Sequence, residues 1–396
     1  MTRAWQDPAE AVLLPVLALA GALLVFGGFV WLSGQSPVEA WVLLFKGAFG
    51  DSFSWQNTLQ RAAPLMLTAL AVALPAQAGL TVIGGEGALV LGALAGAALP
   101  AVAPGLHGVA GTGVLLLAGA LAGAAWVALA GWLRQGRGVN ETISSLLLGY
   151  IAIALFKHIV EGPLRDPASL NKPSTRPVPA DLLIGGIPFG NPFGNRFHTG
   201  PDAVISDVHW GLVWGVLLCL AAGVWLSFTA SGFALRVVGG NVRAARLVGL
   251  PTLALILTAC ALGGAAAGLA GAIEVLAVHT AANASLIAGL GYTGILVSFV
   301  ARHNPWAIPP VAILFGGFAA AGSLLQRRLG LPDASALVLQ GFAFVLILAA
   351  EAGRGRLLAA RAVAAPVTPV TPAPPATPPH DPAQAEPRLA MPAVPF

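Results

Sequence analysis

Charge, cysteine and tyrosine are scarce in this sequence of 396 residues, in which charged side chains make up 9% and only two Cys and two Tyr occur. A water-soluble domain with 57% hydrophobic residues and so little charge would expose large apolar patches. The bilayer is therefore the expected solvent for most of the chain. Cys219 and Cys260 both lie inside apolar runs, which excludes a disulfide framework and leaves two small hydrophobes. No G-x-x-x-x-G-K-[ST] phosphate loop is present, so this chain is not expected to hydrolyse ATP. The sequence has no H-E-x-x-H or paired-Cys spacing and its few His are scattered, so neither metal nor cofactor is expected and no catalytic residue is assigned. The 20 basic against 16 acidic residues give a net charge of +4, but the basic excess sits in short loops rather than among aromatics. That pattern argues against nucleic acid as a partner.

What is abundant is apolar sequence, with a mean hydropathy of +0.82. A span needs about 20 mostly apolar residues to cross a hydrocarbon core of about 30 Å. By that measure about ten transmembrane helices are expected in an all-α, polytopic membrane fold. They run roughly over 11–32, 62–78, 88–102, 109–133, 143–160, 210–228, 252–275, 286–301, 307–325 and 334–350. Several are short, so some helices should be tilted, broken or re-entrant. The first apolar run is too long for the core of a cleaved signal peptide and is read as an anchor.

Cytoplasmic loops keep Lys and Arg. Placing the N-terminus inside puts Arg3, Arg134, Arg137, Arg236, Arg243, Arg246, Arg302, Arg354, Arg356 and Arg361 on the cytoplasmic side, with Lys46, Arg61, Arg327 and Arg328 opposite. Both termini are then cytoplasmic. The loop from Glu161 to His209, rich in Pro and Gly, is expected to be external and mostly without regular helix. Residues 1–361 read as one transmembrane domain, and 362–396 as a Pro/Ala-rich disordered cytoplasmic tail.

Carboxylates embedded in apolar sequence are the informative ionisable groups, because a charge at the bilayer centre costs roughly 2.5–3.5 kcal/mol on insertion scales. Glu86, Glu141 and Glu274 are three such groups. Glu86 lies in Ile83-Gly84-Gly85-Glu86-Gly87, where glycines let a helix break, so it reads either as a pathway or gate element or as a cap at a membrane-surface turn. Asn140 and Glu141 precede Thr142 as at a helix N-terminus. Glu274 closes a glycine-rich span and is either interfacial or cavity-facing. Glu86, Asn140, Glu141 and Glu274 are the candidate translocation-pathway residues. Ser231–Leu250, with three arginines and Gly239-Gly240, has the character of a docking segment for a cytoplasmic partner.

Four separated segments resemble the permeases of the ribose and branched-chain amino-acid importer superfamily, particularly the nucleoside branch served by basic-membrane-lipoprotein receptors. Ile83-Gly84-Gly85-Glu86-Gly87 is similar to that branch's Asn-Ile-Gly-x-Glu-Gly-Gln, with Val82 and Ala88 in place of the polar ends. Val139-Asn140-Glu141-Thr142-Ile143 continues through Leu147 to Tyr150-Ile151-Ala152, with Gly149 where Asn is usual. Gly232 and Leu235 to Asn241, then Ala244-Ala245 and Gly249, resemble the coupling segment. Gly291-Tyr292-Thr293-Gly294-Ile295 is similar to Gly-Phe-x-Gly-Ile, with Thr293 replacing a usual Asp.

The resemblance implies the permease subunit of an ATP-binding-cassette importer in a bacterial plasma (inner) membrane, taking up nucleosides or related solutes. It implies a separate ATP-binding subunit, a second permease subunit and a lipoprotein or periplasmic receptor, besides membrane lipid. Arg236, Gly239, Gly240, Asn241, Ala244 and Ala245 would then couple to the ATP-binding subunit. A sugar or branched-chain amino-acid permease of the same class is the nearest alternative. An ion-coupled secondary transporter, with Glu86 or Glu274 as the ion site, is the alternative of another class.

Overall fold

A computed structural model describes residues 8–187, 208–332 and 334–364, and among them the chain is helical with only isolated β-bridges between loops. The tail expected over 362–396 lies almost wholly outside the described residues, as does the second half of the loop ending at His209. Contacts divide the chain after Ala352, and the packing below belongs to the first of the two units.

Thirteen α-helices follow one another among the described residues: α1 (Pro8–Leu32), α2 (Pro37–Phe49), α3 (Ser52–Gln77), α4 (Gly85–Val102), α5 (Gly108–Arg137), α6 (Glu141–Glu161), α7 (Gly211–Phe228), α8 (Ala230–Gly240), α9 (Val242–Leu247), α10 (Thr252–Glu274), α11 (Leu290–Val300), α12 (Ile308–Leu329) and α13 (Ser335–Ala364). Seven stretches are long and apolar enough to cross a bilayer, namely α3, α4, α5, α6, α7, α10 with its extension to His279, and α12. Three shorter apolar stretches, Val16–Leu32, Ala284–Val300 and Ser335–Ala350, fall at the other expected spans. Helix α2, which the apolar runs do not reveal, carries Glu39 and Lys46 within 13 residues and is too short to span. It starts because Ser36 caps the Glu39 N–H and Pro37 pre-sets the first turn.

Helix α10 is the centre, packed on α3, α4 and α5. The contacts are backbone on backbone: Gly92 lies on Gly268, Gly119 and Gly123 lie on Gly268 and Gly264, and Gly271 lies on the Leu89 carbonyl. Any side chain there would run into a neighbouring main chain, so small residues set how closely the spans approach. The lipid tails supply no hydrophobic force between helices, and this intimate van der Waals contact holds α4, α5 and α10 together. Helix α12 packs on α2 and α3, with Gly316 against Thr58 and Ala62, closing a second apolar cluster that includes Phe26, Met66, Phe315 and Leu339.

Two connections are ordered against the bundle. Residues 175–184 lie on the turn after α10, with the Thr175 N–H donating to the Ala282 carbonyl at 2.9 Å and the Val178 N–H to the Thr280 carbonyl at 2.8 Å. Asp181 accepts the Gly108 N–H at 3.3 Å and faces His107 at 3.2 Å, and these contacts hold its carboxyl below the ordinary Asp range. At the far side of this connection His209 is buried, and its Nδ1 accepts the Gly211 N–H at 3.1 Å.

Candidate functional site

The break between α3 and α4 is where three of the four motif segments meet. After α3 the chain turns at Gly79, which has a left-handed φ of 76°, and runs without helix to Gly84. Its backbone is held by the start of α6: the Ile83 N–H donates to Ser145 Oγ at 3.0 Å, and Thr142 Oγ1 donates to the Thr81 carbonyl at 3.0 Å. Gly84 lies against the Ser145 carbonyl and Gly87 against Gly149, so neither position has room for a side chain.

Glu86 sits in the first turn of α4 but serves another helix. Its Oε1 accepts the Gly289 N–H at 2.9 Å and its Oε2 accepts the Gly291 N–H at 2.6 Å. Those donors are the unsatisfied N-terminal amides of α11, a helix of 11 residues that begins inside the bundle. Glu86 therefore caps a broken helix across the membrane domain, and the dipole of α11 favours its negative charge. Gly291 lies directly on the Glu86 backbone and Gly294 on Thr68, whose Oγ1 approaches the Leu290 carbonyl at 3.2 Å. Thr293 Oγ1 donates to Gln340 Oε1 on α13 at 3.1 Å.

Asn140 is the cap of α6, accepting the Thr142 and Ile143 N–H groups at 2.9 and 3.1 Å. Glu141 lies in the first turn, with Arg134 Nε 3.2 Å from its Oε2 as an ion pair off hydrogen-bond geometry. Glu274 ends α10 where the backbone widens into a π-turn over Val275–His279; it is buried, and His279 Nε2 lies 3.9 Å from its Oε2. A π-turn inserts one extra residue per turn and commonly marks functional positions.

The Ser231–Leu250 segment folds as two short helices. Thr229 caps α8 and Asn241 caps α9, each through its side-chain oxygen. Gly239 is pressed onto the Gln77 carbonyl at the end of α3, whereas Gly240 has open space around it. Arg236, Asn241 and Ala244 are exposed and Ala245 is buried. Leu247 and Val248 at the end of α9 are 89% and 72% exposed. Arg246 reaches back to Gln135 Oε1 at 3.1 Å, and Gln77 Nε2 donates to the His303 carbonyl at 2.9 Å. These bonds bring the ends of α3, α5, α8 and α11 together at one end of the bundle.

The structure thus joins the segments around Glu86, Asn140 and Gly291, and seats the coupling segment on the end of α3 just ahead of them. Glu274 stands apart at the end of α10. The partner of Glu86 is not legible in the sequence: Gly289 and Gly291 are two more glycines in an apolar stretch, and nothing local ties them to a residue some 200 positions earlier.

Residues 54–348 match the family described as branched-chain amino acid transport system / permease component. Similar curated proteins include a glucose ABC transporter permease protein of Haloferax volcanii, 33% identical with 85% of this chain and 87% of that one covered. Others are a guanosine ABC transporter permease protein of Bacillus subtilis, 26% identical over 81% and 88%, and a nucleoside ABC transporter permease protein of Lactococcus lactis, 23% identical over 78% and 83%. No solved structure matches. With a family match over residues 54–348 and a relative 33% identical over most of its length, the chain belongs to this permease family and is a multi-pass transport component of an ABC transporter.

Proposed function

We propose that this chain forms the membrane path of an ATP-driven importer for a neutral, hydroxyl-rich solute, a nucleoside first and a sugar second. The observation that carries the reading is the state of the carboxylates. Where the motif segments meet, Glu86 is consumed by two backbone N–H groups of its own chain and Glu141 is paired with Arg134, while Glu274, buried with His279 at 3.9 Å, stands apart at the end of α10. An amino-acid zwitterion needs opposite charges to meet it in the bilayer, where an unpaired charge is costly, while a nucleoside or sugar needs only hydrogen-bond partners. The same engagement of Glu86 speaks against an ion-coupled secondary transporter using it as the ion site. Sugar import is favoured as the second reading by the glucose permease relative.

ATP hydrolysis then belongs to a separate subunit, docked on α8 and α9 with the exposed Arg236, Gly240, Asn241 and Ala244, while Gly239 and Ala245 support that surface from within. A second permease subunit completes the path and a lipoprotein or periplasmic receptor delivers the solute. The ten-span topology with both termini cytoplasmic is supported by where the arginines gather: Arg134, Arg236, Arg243, Arg246 and Arg302 lie on the helix ends that Gln77 and Gln135 tie together. In a bacterial inner membrane that end faces the cytoplasm. Uptake of labelled guanosine, glucose and leucine into cells with and without the chain tests the reading. Guanosine uptake that depends on the chain is expected, and dependence of leucine uptake alone would overturn it.

A further inference from the structure

At the end of the bundle away from the arginine-rich loops, α2, the start of α3 and the last turns of α12 enclose a cavity of about 580 Å³. Its position follows from α3, whose 26 residues begin at the cavity and end on Gly239, a length of about 39 Å. Three cations line it, Lys46 from α2 and Arg327 and Arg328 from α12, and none of them has a carboxylate within ion-pair distance among the described residues. Adjacent arginines in the last turn of α12 are favoured there by the helix dipole, which explains their tolerance, and neither is in an ion pair among the described residues. Glu39 and Asp51 also line the cavity, Asp51 capping the Ser54 N–H at 2.7 Å, so the lining carries three cations against two carboxylates and a net positive charge.

The rim has a different character. Val38, Val42 and Phe45, spaced along one stripe of α2, are 64%, 47% and 67% exposed, and Phe53 at the start of α3 is 60% exposed. The adjoining stripe of the same helix, Glu39, Leu43 and Lys46, faces the cavity. A cationic hollow thus opens directly onto an apolar flank at the level where a membrane helix bundle ends.

We propose that this cavity binds the phosphate of a membrane phospholipid, with Lys46, Arg327 and Arg328 on the phosphate and the acyl chains lying along Val38, Val42, Phe45 and Phe53. Guanidinium forks match phosphate oxygens, and the ammonium of Lys46 adds a point charge. Basic pockets between spans are a recurrent way of holding anionic headgroups. A soluble phosphate shares the headgroup chemistry but has no use for the apolar stripe, and an acidic receptor surface would leave that stripe in water.

Native mass spectrometry of the purified chain, loaded from vesicles of equal phosphatidylglycerol and phosphatidylcholine, tests this. Wild type is expected to retain phosphatidylglycerol over phosphatidylcholine, and Lys46→Ala with Arg327→Ala and Arg328→Ala to lose that preference by at least about tenfold. The conservative Arg327→Lys, Arg328→Lys variant is expected to keep most of it, and Lys157→Ala, an exposed cation on α6, all of it. Because these variants change only exposed side chains, retention of the folded form is checked by thermal melting. Equal lipid preference in wild type and the triple variant overturns the proposal. So does binding of inorganic phosphate that the triple variant loses while lipid retention is unchanged, and so does loss of receptor binding with lipid retention intact.

Discussion

Glu86 offers two oxygens to two amides, and Gln offers one oxygen and one NH2. In Glu86→Gln either the Gly289 or the Gly291 N–H faces a donor, and a charge-assisted bond of about 1.5–3 kcal/mol is lost with it. Uptake is expected to fall severalfold and the melting temperature of the detergent-purified chain to drop, while the amount inserted in the membrane holds. Wild-type uptake and melting in this variant would remove Glu86 from the architecture of α11. His209 supplies a second residue-scale expectation. Burial lowers its pKa from 6.5 to about 4. The unfolded chain therefore takes up a proton between those values that the folded chain refuses, and stability falls as pH drops from 6.5 towards 4, by at most about 3 kcal/mol. In His209→Asn, where the amide oxygen still accepts the Gly211 N–H, the acid-side loss of melting temperature is expected to shrink.

The coupling segment divides by face. Leu247 and Val248 are exposed at the end of α9, and Gly240 stands in open space, whereas Gly239 is against the Gln77 carbonyl. A bulky residue at Gly239 is therefore expected to push α8 off α3 and lower stability, so it reports on folding as much as on docking. Gly240→Trp and Leu247→Asp are the cleaner changes, expected to leave melting within about 0.5 kcal/mol of wild type while receptor-stimulated ATPase of the assembled complex falls. Unchanged stimulated ATPase in both would make α8 and α9 an ordinary connector. The presence of this segment was legible because its arginines and paired glycines interrupt an apolar chain. Which glycine faces inward was not, since that depends on where α3 ends in space. Likewise the long spans were readable from hydropathy, but α2 was not: its 13 residues carry Glu39 and Lys46, and only contact with α12 shows that they line a cavity. Glu274 was legible as an embedded carboxylate, whereas the π-turn that follows it was not, and its Leu276 carbonyl meets the Ile184 N–H only in the folded chain.

At the scale of the whole molecule, charge sorts the two ends of the bundle. Arg246 reaches Gln135 beside Arg134, and Gly239 and His303 both meet Gln77, so the arginines at 134, 236, 243, 246 and 302 share one end although three separate connections between spans carry them. Lys46, Arg327 and Arg328 lie at the other end around the α2 cavity. The richer end is expected in the cytoplasm, since short basic loops resist translocation. Cys219 and Cys260 are fully buried, so single cysteines can be introduced against a quiet background. In intact cells, Arg243→Cys and Arg354→Cys are expected to stay unlabelled by a membrane-impermeant maleimide until the membrane is opened. Lys172→Cys, exposed in the connection after α6, is expected to label at once. That connection lies past one further span from Arg134, so the two must differ in side if α6 crosses. Labelling of positions 243 and 354 from outside, with 172 protected, would invert the molecule and move the α8–α9 surface out of reach of any ATP-binding subunit.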